Sequence, residues 1–278
     1  MSAPFFLSSR AVIRLSGPDW PTFLNGLLTQ STLDLPASTA VFAGLLTPQG
    51  KLISDVMVRS LDPEAALLDV PAARAETVLA RLSLYRLRAK VALEAAPDLT
   101  VIAGGPDQAR PDSAFTDPRL AALGWRACVP RGPELESCTP EADWHRLRLS
   151  LGVPDPDADC PLESTYPIEA CFDWLNGIDF HKGCFVGQET TSRMKRRGTV
   201  KTRMMPVQIS GETLPAFGTE ILNGDLRAGV LLSGIEDRAI ASLRLDRLDG
   251  PLTCDGLPVS VTVPSWWPED GALIAPSA

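Results

Sequence analysis

Short apolar runs alternate with polar turns over the first part of the chain. Residues 11–15, 40–46 and 52–58 predict strands, and the turn TPQGK joins the last two into a hairpin. After the first strand, Pro18 and Asp19 suit the first turn of a helix. Apolar residues then recur at helical spacing and predict a core-facing stripe: Trp20, Phe23, Leu24, Leu27 and Leu28.

Two later segments carry the signals of helix ends. In TPEADWHRLRLSLG, Thr139 suits the N-cap, Pro140 the first turn and Gly152 the end of the helix. A second helix is predicted from about Gly187 to the residue before Gly198. Its acidic residue lies at the start and its basic residues lie at the end, which suits the helix dipole.

The pattern changes near residue 200. Short strand-like runs then follow one another, with turn signals such as Asn223-Gly224 at intervals of about 8–12 residues. This predicts a small all-β barrel or sandwich over residues 201–278. The preceding residues predict an α+β region in which helices pack on antiparallel sheets. A length of 278 residues also favours two domains.

The charges are unevenly distributed. The chain has 26 Lys and Arg against 34 Asp and Glu, a net charge of −8, which argues against a general nucleic-acid coat. One segment without acids forms a basic island: Arg193, Lys195, Arg196, Arg197, Lys201 and Arg203. The other residues hold 20 cations against 34 acids, a charge of −14.

The cysteine pattern and hydropathy favour a reduced, aqueous compartment. None of the six cysteines forms a C-x-x-C pair, so a zinc ribbon or a thioredoxin-type site is not expected. The first residues lack the features of a signal peptide, and no apolar run approaches the roughly 20 residues that span a bilayer. We therefore expect a cytoplasmic protein that does not enter membranes, and a monomer.

The densest chemistry lies around Lys182-Gly183-Cys184. The glycine suits a tight turn, and the following helix would begin near Gly187. A lysine two residues away and a helix N-terminus both favour a thiolate, so Cys184 is the one cysteine with a stated reason for reactivity or ligation. The alternative is a small buried residue in a tight turn.

This segment also carries a family resemblance. KGCFVGQE, preceded by NGIDF and followed by SRMKRRG, resembles the signature of the YgfZ family of folate-binding proteins. That family is related to the glycine-cleavage aminomethyltransferase, or T-protein, and its mitochondrial relatives assist iron–sulfur cluster assembly. Weaker matches include FLNGLLTQST, TPQGKLISDV and DPRLAALGWR.

The resemblance implies an architecture and a cofactor. The expected fold is an aminomethyltransferase-like α+β region with a small C-terminal β-barrel, arranged as a ring around a central channel. That channel would hold tetrahydrofolate or a one-carbon derivative. The implied domains are a folate-binding region, 1–200, and the barrel, 201–278. Two interleaved subdomains would form the former, about 1–46 with 140–200, and 47–139.

The resemblance also implies functional residues. Cys184 and Lys182 match the K-G-C motif, and Asp55 matches one carboxylate of a pair that looks catalytic in the aminomethyltransferases. Ser54 stands in place of the second carboxylate, and Phe185 stands where the family usually has Tyr. These departures weaken an aminomethyl-transfer interpretation, so whether the protein is an aminomethyltransferase-like enzyme stays open.

Three further residues are candidate folate ligands, together with Asp55. Glu169 matches an acid that faces the pterin ring, where a carboxylate can accept two N–H bonds. Trp144 lies where relatives carry a Trp near folate, although core packing explains it equally well. Arg193, with the rest of the island, would flank the channel or meet the polyglutamate tail of folate. Cys171 replaces an Asn often found in the family.

Three functions follow. The first is a tetrahydrofolate-binding protein that supports iron–sulfur cluster assembly or repair, and thereby iron–sulfur-dependent tRNA modification, with iron–sulfur client or scaffold proteins as partners. It needs no resident metal, and Cys184 would be a transient cluster ligand. The second is a one-carbon transferase that uses Asp55 and Glu169. The third is a tRNA-binding protein that uses the island, which the absence of interleaved aromatic residues disfavours.

Overall fold

A computed structural model describes residues 3–161, 163–197 and 200–269. Its helices are α1 (Trp20–Asn25), α2 (Ala75–Tyr85), α3 (Glu141–Ser150), α4 (Pro156–Asp159) and α5 (Gln188–Arg197). Its strands are β1 (Phe5–Leu7), β2 (Arg10–Ser16), β3 (Ala40–Leu46), β4 (Leu52–Asp62), β5 (Ala65–Pro71), β6 (Ala92–Ala95), β7 (Leu99–Gly104), β8 (Phe115–Thr116), β9 (Trp125–Pro130), β10 (Thr202–Ile209), β11 (Glu220–Asn223), β12 (Leu226–Ile235), β13 (Arg238–Arg244), β14 (Leu252–Cys254) and β15 (Leu257–Val261).

One antiparallel sheet has the strand order β3-β4-β5-β2-β6. The side chains of β2 alternate between its two faces, as the period of a strand requires. Ile13 and Leu15 share a core with Trp20, Leu24 and residues of α2, so both helices cover this face. Val12, on the opposite face, packs in a different core with residues of β7.

A second antiparallel sheet, with the order β1-β7-β9-β8, lies against that opposite face. Val101 and Ala103 of β7 share a core with Val12 and Leu67 of the first sheet. The predicted division of the first 200 residues does not follow these sheets. The predicted boundary between the two subdomains lies at residues 46 and 47. β3 pairs with β4 across this boundary, and β1 of the first subdomain pairs with β7 of the second.

The third sheet is a closed barrel with the order β10-β13-β12-β11-β14-β15. Its hairpins follow the predicted turns, and Gly224 adopts φ of +58° between β11 and β12. The pattern predicted the other barrel strands but missed β14, whose three residues are too few to show an alternation. Closure pairs the first strand of the barrel with the last one.

Two helix predictions were wrong in detail. α1 ends at Asn25, although Leu27 and Leu28 are buried as the stripe predicted. Gly26 is the C-cap of the helix, and the chain turns after it. Leu28 therefore lies outside α1 and forms a β-bridge with Leu45 of β3. Thr139 does not cap α3 with its side chain, because its hydroxyl donates to the Ala3 carbonyl oxygen at 3.0 Å.

No helix in the described parts of the chain combines the length and hydrophobicity needed to cross a bilayer.

Candidate functional site

The segment that contains the K-G-C motif is fastened to the chain that follows α1. The Asp179 amide donates to the Thr29 carbonyl oxygen at 3.0 Å, and the Val186 amide donates to the Gly26 oxygen at 3.2 Å. The Thr29 hydroxyl also donates to the Gly177 oxygen. Two matches to the family signature, FLNGLLTQST and NGIDFHKGC, are therefore partners in space.

Lys182 contributes to the same attachment. Its half-buried ammonium donates to the Leu28 carbonyl oxygen at 2.9 Å and to the Asn25 oxygen at the end of α1. The ammonium also lies 4.9 Å from the centre of the Phe185 ring. Burial lowers the pKa of Lys182 to about 8. The described contacts of this ammonium are thus with main-chain oxygens and an aromatic ring, not with the neighbouring thiol.

A second contact positions the start of α5. Gly187 has φ of +82°, and a Cβ at this residue would lie 2.7 Å from the Thr47 oxygen and 3.0 Å from Gly50 Cα. The TPQGK turn between β3 and β4 thus packs directly against the residue that precedes α5. Only glycine permits both this backbone conformation and this close approach.

Cys184 is the exposed member of the six cysteines. Cys138 is half-exposed, and the other four are buried: Cys128, Cys160, Cys171 and Cys254. Burial raises the pKa of Cys128 and of Cys171 to about 12, so these thiols are poor nucleophiles and poor ligands. The reactive-cysteine prediction therefore has a single well-placed candidate, which the loop presents to solvent.

The basic island does not form one surface. Arg203 is buried, makes a bidentate ion pair with Asp173 at 2.6 and 3.0 Å, and lies 3.5 Å from the Trp174 ring centre. Lys195 lies 3.8 Å from the same carboxylate. Arg193, the predicted folate ligand, is instead an exposed residue of α5. Tertiary packing thus assigns Arg203 to the interior, where it links the barrel to the 171–177 turn.

Glu169 closes a turn of its own chain. One carboxylate oxygen accepts from the Tyr166 amide at 2.9 Å, and the Glu169 amide donates back to the Tyr166 oxygen at 2.9 Å. Burial raises the pKa of this half-buried carboxyl, although Lys51 opposes the shift. Lys51 lies 3.3 Å above the Tyr166 ring. One oxygen of the Glu169 carboxylate is therefore already bonded to the Tyr166 amide.

Asp55 lies in a different place, between the two sheets. Only 1 % of the residue is exposed, and one carboxylate oxygen is 2.9 Å from the Arg10 guanidinium. The other oxygen has no hydrogen-bond partner among the described residues. Burial raises the pKa of Asp55, and Arg10 opposes the shift. This carboxylate is held as a structural counter-ion.

A buried ion network around Asp69 joins the sheets. Asp69 accepts from Arg10 of β2 at 2.6 Å and from Arg126 of β9 at 2.6 and 2.9 Å. Sequence reasoning missed these residues. Their signal was a charged residue inside an otherwise apolar strand, as in ALLDVP and WRACVP, which is rare unless the charge is paired.

Trp144 belongs to the same layer. It is 3 % exposed, its ring centre is 6.0 Å from that of Phe5, and two guanidinium groups flank it. Arg126 lies 5.7 Å and Arg119 lies 6.0 Å from its ring centre. The ring thus packs in the core, which was the alternative to folate stacking.

Among the described residues, no hydrogen bond or ion pair joins the residues predicted for tetrahydrofolate into one cluster. Asp55 and Trp144 share the buried layer between the sheets, where protein groups already cover them. Glu169 lies in a separate turn, and no hydrogen bond or ion pair among the described residues links it to Arg193 or to Asp55. Trp144 is 3 % exposed and offers little ring face to a pterin, whereas one Asp55 oxygen has no hydrogen-bond partner among the described residues.

The described residues also contain no group of three or more His, Cys, Asp and Glu side chains that could hold a metal ion. Cys184 alone cannot satisfy a cluster, which needs about four ligands. Any cluster at this thiol would therefore take its other ligands from another molecule.

Comparison with known proteins identifies the family of the chain and the fold that it shares. Residues 201–269 match the family model described as the CAF17 C-terminal β-barrel domain. The mitochondrial iron–sulfur cluster assembly factor IBA57 of Mus musculus is 32 % identical over 95 % of this chain and 85 % of its own length. The Homo sapiens protein is 32 % identical over 96 % and 85 %, respectively. The chain belongs to the IBA57 family.

Similar proteins of the same family occur in fungi, and a bacterial aminomethyltransferase shares the fold. The mitochondrial IBA57 homolog of Neurospora crassa is 33 % identical over 72 % of this chain and 52 % of its own. The aminomethyltransferase T structure from Bartonella henselae superposes with a TM-score of 0.76 over 94 % of this chain and 86 % of its own. At 16 % identity, it shows the fold alone. The predicted fold class, an aminomethyltransferase-like α+β region with a C-terminal barrel, is confirmed.

Two predictions change with the family. The aminomethyltransferase-like fold and the relation to mitochondrial assembly factors are confirmed, but the relatives found are IBA57 proteins and do not single out YgfZ. The cytoplasmic prediction was wrong, because these IBA57 relatives are mitochondrial proteins. It relied on hydropathy and on the first residues of the chain. Hydropathy distinguishes water from lipid, but it does not distinguish one aqueous compartment from another.

Proposed function

We propose that this chain is an iron–sulfur cluster assembly factor in which Cys184 supplies one thiolate ligand to a cluster shared with a partner protein. The observation that carries the proposal is the exposure of Cys184, while four of the other five cysteines are buried. The names of the IBA57 relatives support the class of process. Exposure supports the direct role, because a transferred cluster must reach its ligand from outside.

The proposed step is a ligand exchange. A cluster iron on the partner loses one partner ligand and forms a bond to the Cys184 sulfur, while the proton of the Cys184 thiol goes to the displaced ligand or to water. No electron is transferred in this step. Since one thiolate satisfies only part of a cluster, the partner retains the remaining bonds, and the cluster is released by the reverse exchange.

The surrounding loop serves this exchange by holding the sulfur in place. Lys182 and the main-chain bonds from Asp179 and Val186 fix the two ends of the loop, whereas Gly183, with φ of +93°, has no atom near its Cβ direction. A fixed loop with an open tip reduces the conformational entropy lost when a partner binds. The thiol is thus presented on a supported turn.

The test is replacement of Cys184 in cells that lack the native protein. We expect Cys184→Ser to abolish recovery of iron–sulfur enzyme activity, and Cys138→Ser, the matched change at the half-exposed cysteine, to restore it. Both variants should show the melting temperature of the parent. Full recovery with Cys184→Ser would contradict the proposal.

Tetrahydrofolate binding and support of tRNA modification remain predictions of the family resemblance. The burial of Trp144 counts against a ring that stacks on folate, and Arg10 already pairs with one Asp55 oxygen, while the other oxygen has no partner among the described residues. Calorimetry with tetrahydrofolate tests the first prediction, with Glu169→Gln as the variant that should weaken any binding. Levels of thiolated tRNA nucleosides in the Cys184→Ser cells test the second.

A further inference from the structure

We propose that α5 presents a docking surface for an acidic protein, and that this protein is the one that shares the cluster with Cys184. The surface is the α5 stripe, which consists of Arg193, Arg196 and Arg197. This inference rests on the proposed function, because the cluster-carrying protein is the expected occupant. It adds where that protein binds and by which charges.

The helix geometry places the three arginines on one side. They are spaced three and four residues apart, so their side chains project from one face of α5. All three are exposed, whereas Thr191 is buried and Met194 packs against the core. Lys195 faces away from the stripe, toward Asp173 at 3.8 Å. One side of the helix is therefore fixed to the protein, and the other side is a row of positive charge.

These charges are unpaired in a chain of net charge −8. No carboxylate of the described residues lies within ion-pair distance of the α5 stripe, and only Arg196 makes a further contact, to its own helix backbone. Several exposed or half-exposed arginines elsewhere are paired: Arg14 with Asp98, Arg146 with Asp143 and Glu236, Arg227 with Glu220, and Arg244 with Asp246. The acids in the described parts of the chain thus leave the stripe available to charges on another molecule.

The stripe and the thiol adjoin the same helix. Cys184 lies four residues before the start of α5, and Glu189, the acidic residue of the first turn, precedes Arg193 by four residues on the same face. At 1.5 Å per residue, the stripe begins roughly 8 Å and ends roughly 14 Å along the helix axis. A protein that contacts the row of arginines and extends toward the N-terminus of α5 would therefore reach the exposed thiol.

The surroundings favour a protein over a nucleic acid as the occupant. The aromatic rings near the stripe are covered, since Arg203 lies 3.5 Å from the ring centre of Trp174 and Lys195 lies 5.6 Å from that of Phe180. These two rings, which bases would need for stacking, already have cations of this chain as neighbours. A protein face with carboxylates at matching spacing needs no such ring, and its opposite charge would steer association.

The experiment compares the α5 stripe with an equally charged control patch. Arg193→Gln/Arg196→Gln/Arg197→Gln removes three exposed cations from α5, and Arg86→Gln/Arg88→Gln/Lys90→Gln removes three from the turn after α2. The probe is a fluorescein-labelled 20-residue peptide of alternating Glu and Asp, measured by anisotropy at low and high salt. Unfractionated tRNA and pentaglutamyl tetrahydrofolate are competitors. Recovery of iron–sulfur enzyme activity is measured for the same variants.

We expect the stripe variant to lose at least tenfold in affinity for the acidic peptide at low salt, and to lose most of its recovery activity when expressed at the native level. The control variant should match the parent in both measurements. Peptide affinity of the stripe variant equal to that of the control would overturn the docking surface. Displacement of the peptide by tRNA or by the folate tail at much lower concentration would assign the stripe to that ligand instead.

Cys184→Ser separates this inference from the proposed function. It should bind the acidic peptide as the parent does and yet fail to restore enzyme activity. If Cys184→Ser restores activity while the stripe variant does not, the docking surface stands and the thiolate ligand does not. If the stripe variant restores activity in full, the docking surface is contradicted whatever Cys184→Ser shows.

Discussion

The ammonium of Lys182 donates to the main-chain oxygen of Leu28 at 2.9 Å, across 154 residues of sequence. The Asn25 oxygen, at the end of α1, accepts from the same ammonium. Carbonyl groups at a helix end carry partial negative charge and lack helical partners, so a buried cation both satisfies them and gains from the dipole. The lysine of the K-G-C motif therefore attaches the cysteine loop to the first helix of the fold.

Replacement of Lys182 should loosen that loop. In Lys182→Met we expect a loss of about 1–3 kcal/mol in the free energy of unfolding, because two carbonyl groups lose a charged donor. Amide exchange at Asp179 and Val186 should become faster. Exposed Lys90→Met should leave both quantities unchanged. Unaltered exchange at these two amides in Lys182→Met would contradict the attachment.

The protonation of Lys182 predicts a pH dependence. Burial lowers its pKa to about 8, while an unfolded lysine titrates near ~10.4. Between these values the unfolded chain binds more protons than the folded chain, so stability should rise with pH in this window. For a half-exposed group the rise should be on the order of 1 kcal/mol after screening. Chemical denaturation of the parent and of Lys182→Met should show it as a difference that grows above pH 8.

The buried ion network predicts a large effect at Asp69. Asp69→Asn leaves Arg10 and Arg126 without their shared counter-ion, and breaking such a pair should cost about 3–5 kcal/mol of unfolding free energy. The matched change Asp98→Asn, at an exposed pair with Arg14, should cost less than about 1 kcal/mol. Denaturant unfolding measures both. Equal effects would mean that the network between the sheets contributes little.

Acid unfolding should report on the same carboxylate. Burial alone would raise the pKa of Asp69, but Arg10 and Arg126 together lower it below its ordinary value. The unfolded chain therefore takes up the proton first as pH falls, and this contribution to stability is lost below about pH 4. The difference in unfolding free energy between the parent and Asp69→Asn should shrink in that range. A constant difference down to pH 2 would contradict the lowered pKa.

Thiol labelling should be ordered by burial. We expect iodoacetamide to modify Cys184 first and Cys138 more slowly, and to reach the four buried cysteines only after unfolding. Mass spectrometry of digested samples taken over time gives the order. Cys184→Ser should remove the fastest phase and leave the others unchanged. Early labelling of Cys128 or Cys171 would contradict the described burial.

Substitutions at two glycines distinguish the cost of backbone strain from the cost of a packing clash. Gly183→Ala requires a left-handed residue but meets open space, so it should cost about 1–2 kcal/mol. Gly187→Ala imposes the same kind of strain and also drives a Cβ toward the Thr47 oxygen, so it should cost clearly more. The difference between their unfolding free energies measures the contact of the TPQGK turn with α5. Equal losses would mean that this contact yields easily.

Local patterns determined many of the elements. The limits of α5 and of the strand β3 follow from apolar periodicity, charge at helix ends and turn residues, because these signals act over a few residues. A local pattern was less informative where the side chain could find a hydrogen-bond partner far away in the sequence. Thr139 has the chemistry of a cap, but the Ala3 oxygen competes for its hydroxyl.

The sequence by itself determined the link to iron–sulfur cluster assembly factors, the K-G-C turn and the presence of a basic island. The tertiary structure decided what these features do: it buried Arg203 against Asp173 and left the α5 stripe exposed. It also covered Asp55 and Trp144 and exposed Cys184. The reason is physical. The partner of a charged or polar group can lie more than a hundred residues away, and only folding shows whether that group meets a counter-ion, a carbonyl group or water.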